Sequence, residues 1–529
     1  MGLFGKWSRR DLLKTSGAVA GAAAVPLAAS SSGAEAAVSM PSLNGREPDN
    51  LFTRIGVRPI INGRGTYTII SGSRSLPEVK RAMYEASHYY VQLDEMEDGV
   101  GAQLAKLTGA EWGIITNGAE AAICLATIAS IAGSDVEKCQ GLPYVKAKDQ
   151  VIIPRYSRNP YDLGVRMVGA EVVEVDTPEE MQAKISPRTA MIYVMSSPRA
   201  EKDRLNIPAI IAISKKTGVP VLVDAAAEEP LNPNPHLSRG ATLVCYSGGK
   251  CLRGPQSSGL LLGNKALCKA AYFQAAPHHA YGRALKCSKE ETMGLLAAVT
   301  QWYKRDHAAE QKMWLGWMQN IEKRLKPLQS TTFEYLEPED LSNKATRLRV
   351  HWDAKVLGIT GTELAAKLDA GTPRILLDGG SGRRPDQMAS SITIMPYMMD
   401  PGEDKIIADA LYAAMSNPGH YTDPVVPSGA PAAIGGAWMV NVEYPLGKGN
   451  QTFVLTQTGG DIAGRHQGEL YNGQLRGTVH GDQVELRSVM EVPGNPIHWT
   501  FTGTHQGDRM SGTADMGEYG PARWTAVRA

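Results

Sequence analysis

An α/β domain with a mainly parallel sheet, followed by a separate all-β domain, is the fold predicted for this chain of 529 residues. Two observations predict it. Between Ala105 and Cys287, short apolar strands alternate with helical segments, as in a sheet covered by helices on both faces. Beyond a Pro-rich linker, Asp423-Pro-Val-Val-Pro-Ser-Gly-Ala-Pro431, helical patterns stop and short alternating runs recur at even spacing. A hydrophobic content of 43% supports more than one sizeable core.

Taken in order, residues 1–36 read as an export signal. Ser8-Arg-Arg-Asp-Leu-Leu-Lys14 precedes an uncharged Ala- and Gly-rich stretch, and Ala34-Glu-Ala36 gives a small-x-small cleavage site. The twin arginines indicate the twin-arginine route, which carries folded proteins. The mature chain then starts near Ala37 and works in the periplasm or otherwise outside the cytoplasm. The stretch is too short and too mildly apolar for a retained membrane anchor. Residues 51–103 form an N-terminal arm with a helix over 76–91. Residues 104–325 form a large domain, with strands at Trp112-Gly-Ile-Ile-Thr116, Gln150-Val-Ile-Ile153, Glu171-Val-Val-Glu-Val175, Ala190-Met-Ile-Tyr-Val194, Val219-Pro-Val-Leu-Val223 and Ala241-Thr-Leu-Val-Cys-Tyr246. Helices are predicted over 119–131, 207–216 and, as one long region, 290–326. A smaller lobe spans 326–420, a linker 421–434, and an antiparallel barrel or sandwich 435–529. Seven short runs define that last domain, beginning at Val440, Thr452, Gln474, Val484, His498, Met510 and Trp524.

Charge and cysteine usage exclude some chemistry. The net charge is +1 with no basic excess to hold a polyanion, which argues against a nucleic-acid partner. Six cysteines show no CxxC pair or zinc spacing, and several lie in apolar runs, so buried free thiols are expected. His278-His279 stands without a further ligand set, so no metal is predicted.

The chemistry concentrates in Ser247-Gly-Gly-Lys-Cys-Leu-Arg-Gly-Pro255. It places Lys250 in a glycine-rich turn just after an apolar strand, 26 positions beyond the strand-terminal Asp224. Alone, such a lysine is an ordinary surface residue and such an aspartate an ordinary helix cap. Together they match the needs of pyridoxal 5'-phosphate (PLP). The lysine condenses with the aldehyde, and the carboxylate keeps the pyridine nitrogen protonated so that the ring accepts electrons. A third element agrees. Thr116, Asn117, Gly118 and Ala119 lead from a strand into a helix, whose free N–H groups suit a phosphate. Ser247 is placed to donate its hydroxyl to the same phosphate.

Asn62-Gly-Arg-Gly-Thr66, Thr116-Asn-Gly-Ala119, Val223-Asp-Ala-Ala-Ala-Glu228, Ser247-Gly-Gly-Lys250 with Gly254-Pro-Gln256, and Gly282-Arg-Ala-Leu-Lys286 together resemble one family. It is the selenocysteine synthase (seryl-tRNA selenium transferase) and D-glucosaminate-6-phosphate ammonia-lyase family, and the likeness runs from about residue 51 to 417. The resemblance implies the aspartate-aminotransferase type of fold (PLP fold type I) with large and small domains. It also implies a homo-oligomer, Lys250 and Asp224 in the roles above, and Arg283, Lys286 and Arg74 as cationic anchors for an anionic substrate. Tyr156 falls where a ring-stacking residue is expected. Arg253 departs from the family, which tends to have a small residue there; it adds an anion contact or narrows the pocket.

The two family activities share loss of a β-hydroxyl from an amino-bearing carbon skeleton. The expected function is therefore a PLP-dependent lyase, eliminating water and then ammonia from a β-hydroxy amino acid or amino-sugar acid, with Lys250 as general base. Other readings stay open: a selenium-type transferase, opposed by the export signal and neutral charge, an aminotransferase or other PLP chemistry, and a non-catalytic exported binding protein.

Overall fold

The computed structural model describes residues 49–146, 148–425 and 429–529; the export signal lies outside them. Strand β1 (Ile60–Gly63) leaves the N-terminal arm for a sheet completed far along the chain. The main sheet has seven strands: β2 (Trp112–Thr116), β3 (Gln150–Pro154), β4 (Glu171–Val175), β5 (Thr189–Met195), β6 (Val221–Asp224), β7 (Leu243–Ser247) and β8 (Gly259–Gly263). Their order is β2-β8-β7-β6-β5-β3-β4. Only β8 runs antiparallel to its neighbours.

These strands are continuous apolar runs because both faces are covered. Alternate residues enter opposite cores: Ile152, Ile192, Val194 and Val223 one, Val151, Met191, Tyr193 and Leu222 the other. The helix Ile207–Thr217 is capped by Asn206, whose side chain accepts from Ala209 N at 2.9 Å, and ends at left-handed Gly218.

The N-terminal helix is shorter than the sequence predicts. It covers Pro77–Ala86, and a second helix, Leu93–Thr108, follows after a break. The start signal is local: Gln92 accepts from Glu95 N at 2.6 Å, and Asp94 and Glu95 occupy the first turn. Likewise the long helical region divides into Lys289–Trp302 and His307–Leu325, the second capped by Asp306. The small lobe contributes β9 (Thr332–Leu336), β10 (Arg347–Asp353), β11 (Arg374–Arg383) and β12 (Gln387–Ile394), in the order β1-β11-β12-β10-β9. Among the described residues no helix is long and apolar enough to cross a membrane.

The last part is a closed, up-and-down barrel: β13 (Gly436–Glu443), β14 (Lys448–Thr458), β15 (Asp461–Gln467), β16 (Asn472–His480), β17 (Gln483–Met490), β18 (Ile497–Gln506), β19 (Arg509–Asp515) and β20 (Pro521–Arg528). β15 adds an eighth strand to the seven runs read from sequence. Its inward positions are Ile462, Gly464 and His466, so it carries little apolar pattern. Side chains fill the barrel, with Trp438, Phe453, Phe501 and Trp524 fully buried.

His466 lies wholly inside this barrel, 2.9 Å from Ser488 Oγ and 2.7 Å from Gln451 Oε1. A neutral ring with its proton on Nε2 satisfies both contacts. Burial pulls its pKa down from 6.5 to about 4. Between those values the unfolded chain binds a proton that the folded chain refuses. Stability is therefore lost as pH falls from 6.5 towards 4, by on the order of 3 kcal/mol. His466→Gln should flatten this acid limb when melting is followed by tryptophan fluorescence at pH 7 and pH 5; an unchanged slope would refute it.

Candidate active site

The carboxyl ends of β2, β6 and β7 share one edge of the sheet, and β8 starts between β2 and β7 there. Gly259 stands opposite both Thr116 and Ser247. A Cβ on Gly259 would lie 2.3 Å from the Gly118 carbonyl carbon and 2.6 Å from Ala119 N, so a side chain is excluded. Gly118, at φ +91°, caps the helix Ala119–Ala132 without any side-chain cap. Thr116 Oγ1 donates to Gly118 O at 2.8 Å and fixes the turn, while Asn117 is exposed. The result is a tight backbone cradle at an uncapped helix start, suited to a phosphate.

Asp224 ends β6 and is buried. Its Oδ2 accepts from the Tyr193 hydroxyl at 2.8 Å and its Oδ1 from Ala226 N at 3.0 Å, with Cys245 Sγ at 3.7 Å. Burial raises the carboxyl pKa; the Ala226 N–H, Tyr193 and the charge of Lys250 oppose that rise. Lys250 lies half-buried in the turn after β7. The N-terminal arm closes on that turn, Ser73 N donating to Gly249 O at 2.9 Å. A buried carboxylate, a lysine within its field and a phosphate-sized cradle fit PLP. Among the described residues, no group of three or more His, Cys, Asp or Glu could hold a metal.

Other residues fall differently from the sequence-based expectation. Tyr156 has its hydroxyl donating to Leu205 O at 2.7 Å, and Arg199 lies 5.4 Å from its ring centre. Five residues on, burial first and then the charges of Asp224 and Glu120 raise the pKa of Tyr161. Arg74 is spent in an ion pair with Asp400 and is no free anchor. Arg253, at φ +55°, donates through Nε to Arg74 O at 2.9 Å and so links the arm to the lysine turn. Burial foremost, then Arg305, lowers its pKa to about 10. Gly282 packs on the helix Ala119–Ala132 against Leu125, which sets Arg283 beside that helix. Among the described residues neither Arg283 nor Lys286 forms an ion pair. Tyr193 escaped the sequence reading because it sits in an apolar strand; a buried tyrosine hydroxyl needing an acceptor was the available signal.

Comparison with known proteins points to the same cofactor. The family model "Cys/Met metabolism PLP-dependent enzyme" matches residues 66–288, and that of the twin-arginine translocation signal matches residues 8–26. The D-glucosaminate-6-phosphate ammonia lyase of Salmonella typhimurium is 27% identical over 336 residues, 61% of this chain and 87% of that protein. The 5'-C-glycyluridine monooxygenase-decarboxylase of a Streptomyces species is 30% identical over 345 residues, 62% of this chain and 83% of that one. A solved D-glucosaminate-6-phosphate ammonia-lyase superposes with a TM-score of 0.61 at 26% identity, covering 70% of this chain and 99% of the other. The large and small lobes are thus those of a PLP enzyme of fold type I.

A small cavity adjoins the cradle, lined by Thr116, Glu97, Tyr272, Cys287 and Thr292 among others. Glu97 is buried there, accepting from Ile115 N at 3.4 Å, and burial raises its pKa from 4.5 to about 8. The unfolded chain ionises this group from pH 4.5 upward while the fold keeps it protonated, so the native state loses stability between those values. Glu97→Gln keeps the acceptor and removes the penalty. It should stabilise the protein by on the order of 3 kcal/mol at pH 7 and hardly at all at pH 4.5. Equal shifts in melting temperature at both pH values would contradict the assignment.

Proposed function

The chain belongs to the Cys/Met metabolism PLP-dependent enzymes, and on that premise we propose that it is an exported lyase. It eliminates water from a β-hydroxy amino acid or amino-sugar acid, and the resulting enamine, as its imine, takes up water to release ammonia and leave a keto acid. The observation that carries this reading is the buried Asp224 carboxylate beside Lys250, on a scaffold shared with 99% of an ammonia-lyase. Bound PLP supplies the electron sink that lets a Cα proton leave. Asp224, ordered by Tyr193 and Ala226 N, holds the pyridine nitrogen protonated. The turn 116–119 and Ser247 bind the phosphate. Lys250 takes the Cα proton and delivers a proton to the departing β-hydroxyl, which leaves as water. Arg283 and Lys286, without a carboxylate partner among the described residues, bind an anionic group of the substrate.

The twin-arginine signal supports a periplasmic site of action, away from charged tRNA. Exposed Phe52, Ile55, Ile69, Tyr89 and Tyr90 on the N-terminal arm support a homo-oligomer in which a second copy covers them.

Protein folded with PLP should show a visible cofactor band that borohydride fixes covalently, and Lys250→Ala should abolish the fixation. The same substitution should lower kcat by about 10²- to 10⁴-fold. Ammonia should appear from β-hydroxy amino substrates without oxygen uptake. Oxygen uptake with carbon dioxide release would instead favour chemistry like that of the monooxygenase-decarboxylase, and no band at all would end the enzyme reading.

A further inference from the structure

The barrel touches the large lobe close to Asp224. The β17–β18 connection carries Gly494 at φ +79°, where a Cβ would stand 2.8 Å from Asn159 O, 3.0 Å from Asp162 Oδ2 and 3.2 Å from Asn159 N. Next to it, Asn495 Nδ2 donates to Tyr519 Oη at 2.9 Å, tying this loop to the β19–β20 loop. Burial first, then the charges of Asp224, Glu120 and Glu518 of that second loop, raise the pKa of Tyr161.

The loop under Gly494 is itself firmly built. Asn159 caps the short turn Pro160–Asp162, with Oδ1 accepting from Tyr161 N at 2.8 Å. Asp162, fully buried, accepts from Arg158 Nε at 2.6 Å and Arg166 Nε at 2.9 Å. From this loop a relay runs inward. Asn159 Nδ2 donates to Tyr193 Oη at 3.1 Å, and Tyr193 donates to Asp224 Oδ2 at 2.8 Å. A tyrosine hydroxyl has one proton to give. With Asn159 donating to its lone pair, that proton is committed to Asp224.

We propose that the β-barrel is a positioning element for the PLP site: the Gly494 turn clamps Asn159, which through Tyr193 fixes Asp224 against the pyridine nitrogen. Gly494 and Asn159 are positioning residues, since neither touches the reacting atoms. The proposal rests on the reading of Asp224 as the partner of that nitrogen. It gives the barrel a role in the chemistry of the preceding lobe without any ligand of its own.

The test uses the full-length holoenzyme. Gly494→Ala adds the clashing Cβ; Gly507→Ala is its control, a barrel glycine at φ +62° with nothing within 4 Å. Asn159→Ala breaks the relay from the large-lobe side and keeps the proposal testable if Gly494→Ala folds poorly. Gly494→Ala and Asn159→Ala should each weaken PLP retention roughly three- to tenfold, the worth of one hydrogen bond. Both should shift the pH midpoint of the visible cofactor band by roughly half a unit and speed hydrogen exchange in residues 155–166. Gly507→Ala should do none of this. A purely structural contact would lower the melting temperature and leave the band's midpoint and PLP affinity alone, and that outcome overturns the proposal. Asp224→Asn separates the two levels. If it alters PLP binding while Asn159→Ala and Gly494→Ala do not, only the barrel's role fails. If Asp224→Asn leaves PLP binding and the band unchanged, the reading beneath it fails.

Discussion

Asp224 is a carboxylate at the end of a buried strand, where water does not reach it, and much of the surrounding structure exists because of that cost. Two donors, Tyr193 and the Ala226 N–H, satisfy part of its capacity. The remainder calls for a cation, which in the function proposed above would be the protonated pyridine of bound PLP. Register makes the arrangement cheap to build. Tyr193 and Leu222 are partners across β5 and β6, so Tyr193 and Asp224 stand on the same face of the sheet. β7 brings Cys245 opposite Asp224 and then leads directly into the lysine turn.

Much of this was legible in the sequence because the elements that bear chemistry are punctuated. Strand ends, glycines and a lone lysine mark Asp224, Gly118 and Lys250. What hid were residues whose partners come from distant segments. Tyr193 reads as one more apolar strand residue, and its value appears only when β5 lies beside β6. Tyr156 and Tyr161 lie five positions apart in one loop, and no local pattern says that Tyr161 comes under the charge of Asp224. Arg74 looked like a free cation until the small lobe brought Asp400 to it. β15 escaped because His466 and Gly464 replace the apolar residues that usually announce an inward face.

The barrel shows how a separate domain can be tied to the lobe that carries the site. Its closed sheet leaves no strand edge to be shielded, so its loops are free to make specific contacts. One glycine, bare of a side chain, lets backbone rest on backbone at Asn159. Such a joint has little tolerance, because any side chain at residue 494 must push one of the two partners away.

All six cysteines are unpaired, and five of them are buried. For a protein addressed for secretion this has a particular meaning. Its architecture owes nothing to oxidative cross-linking, so it needs no oxidising compartment to be completed. Five of its thiols are sequestered from oxidants and from mispairing.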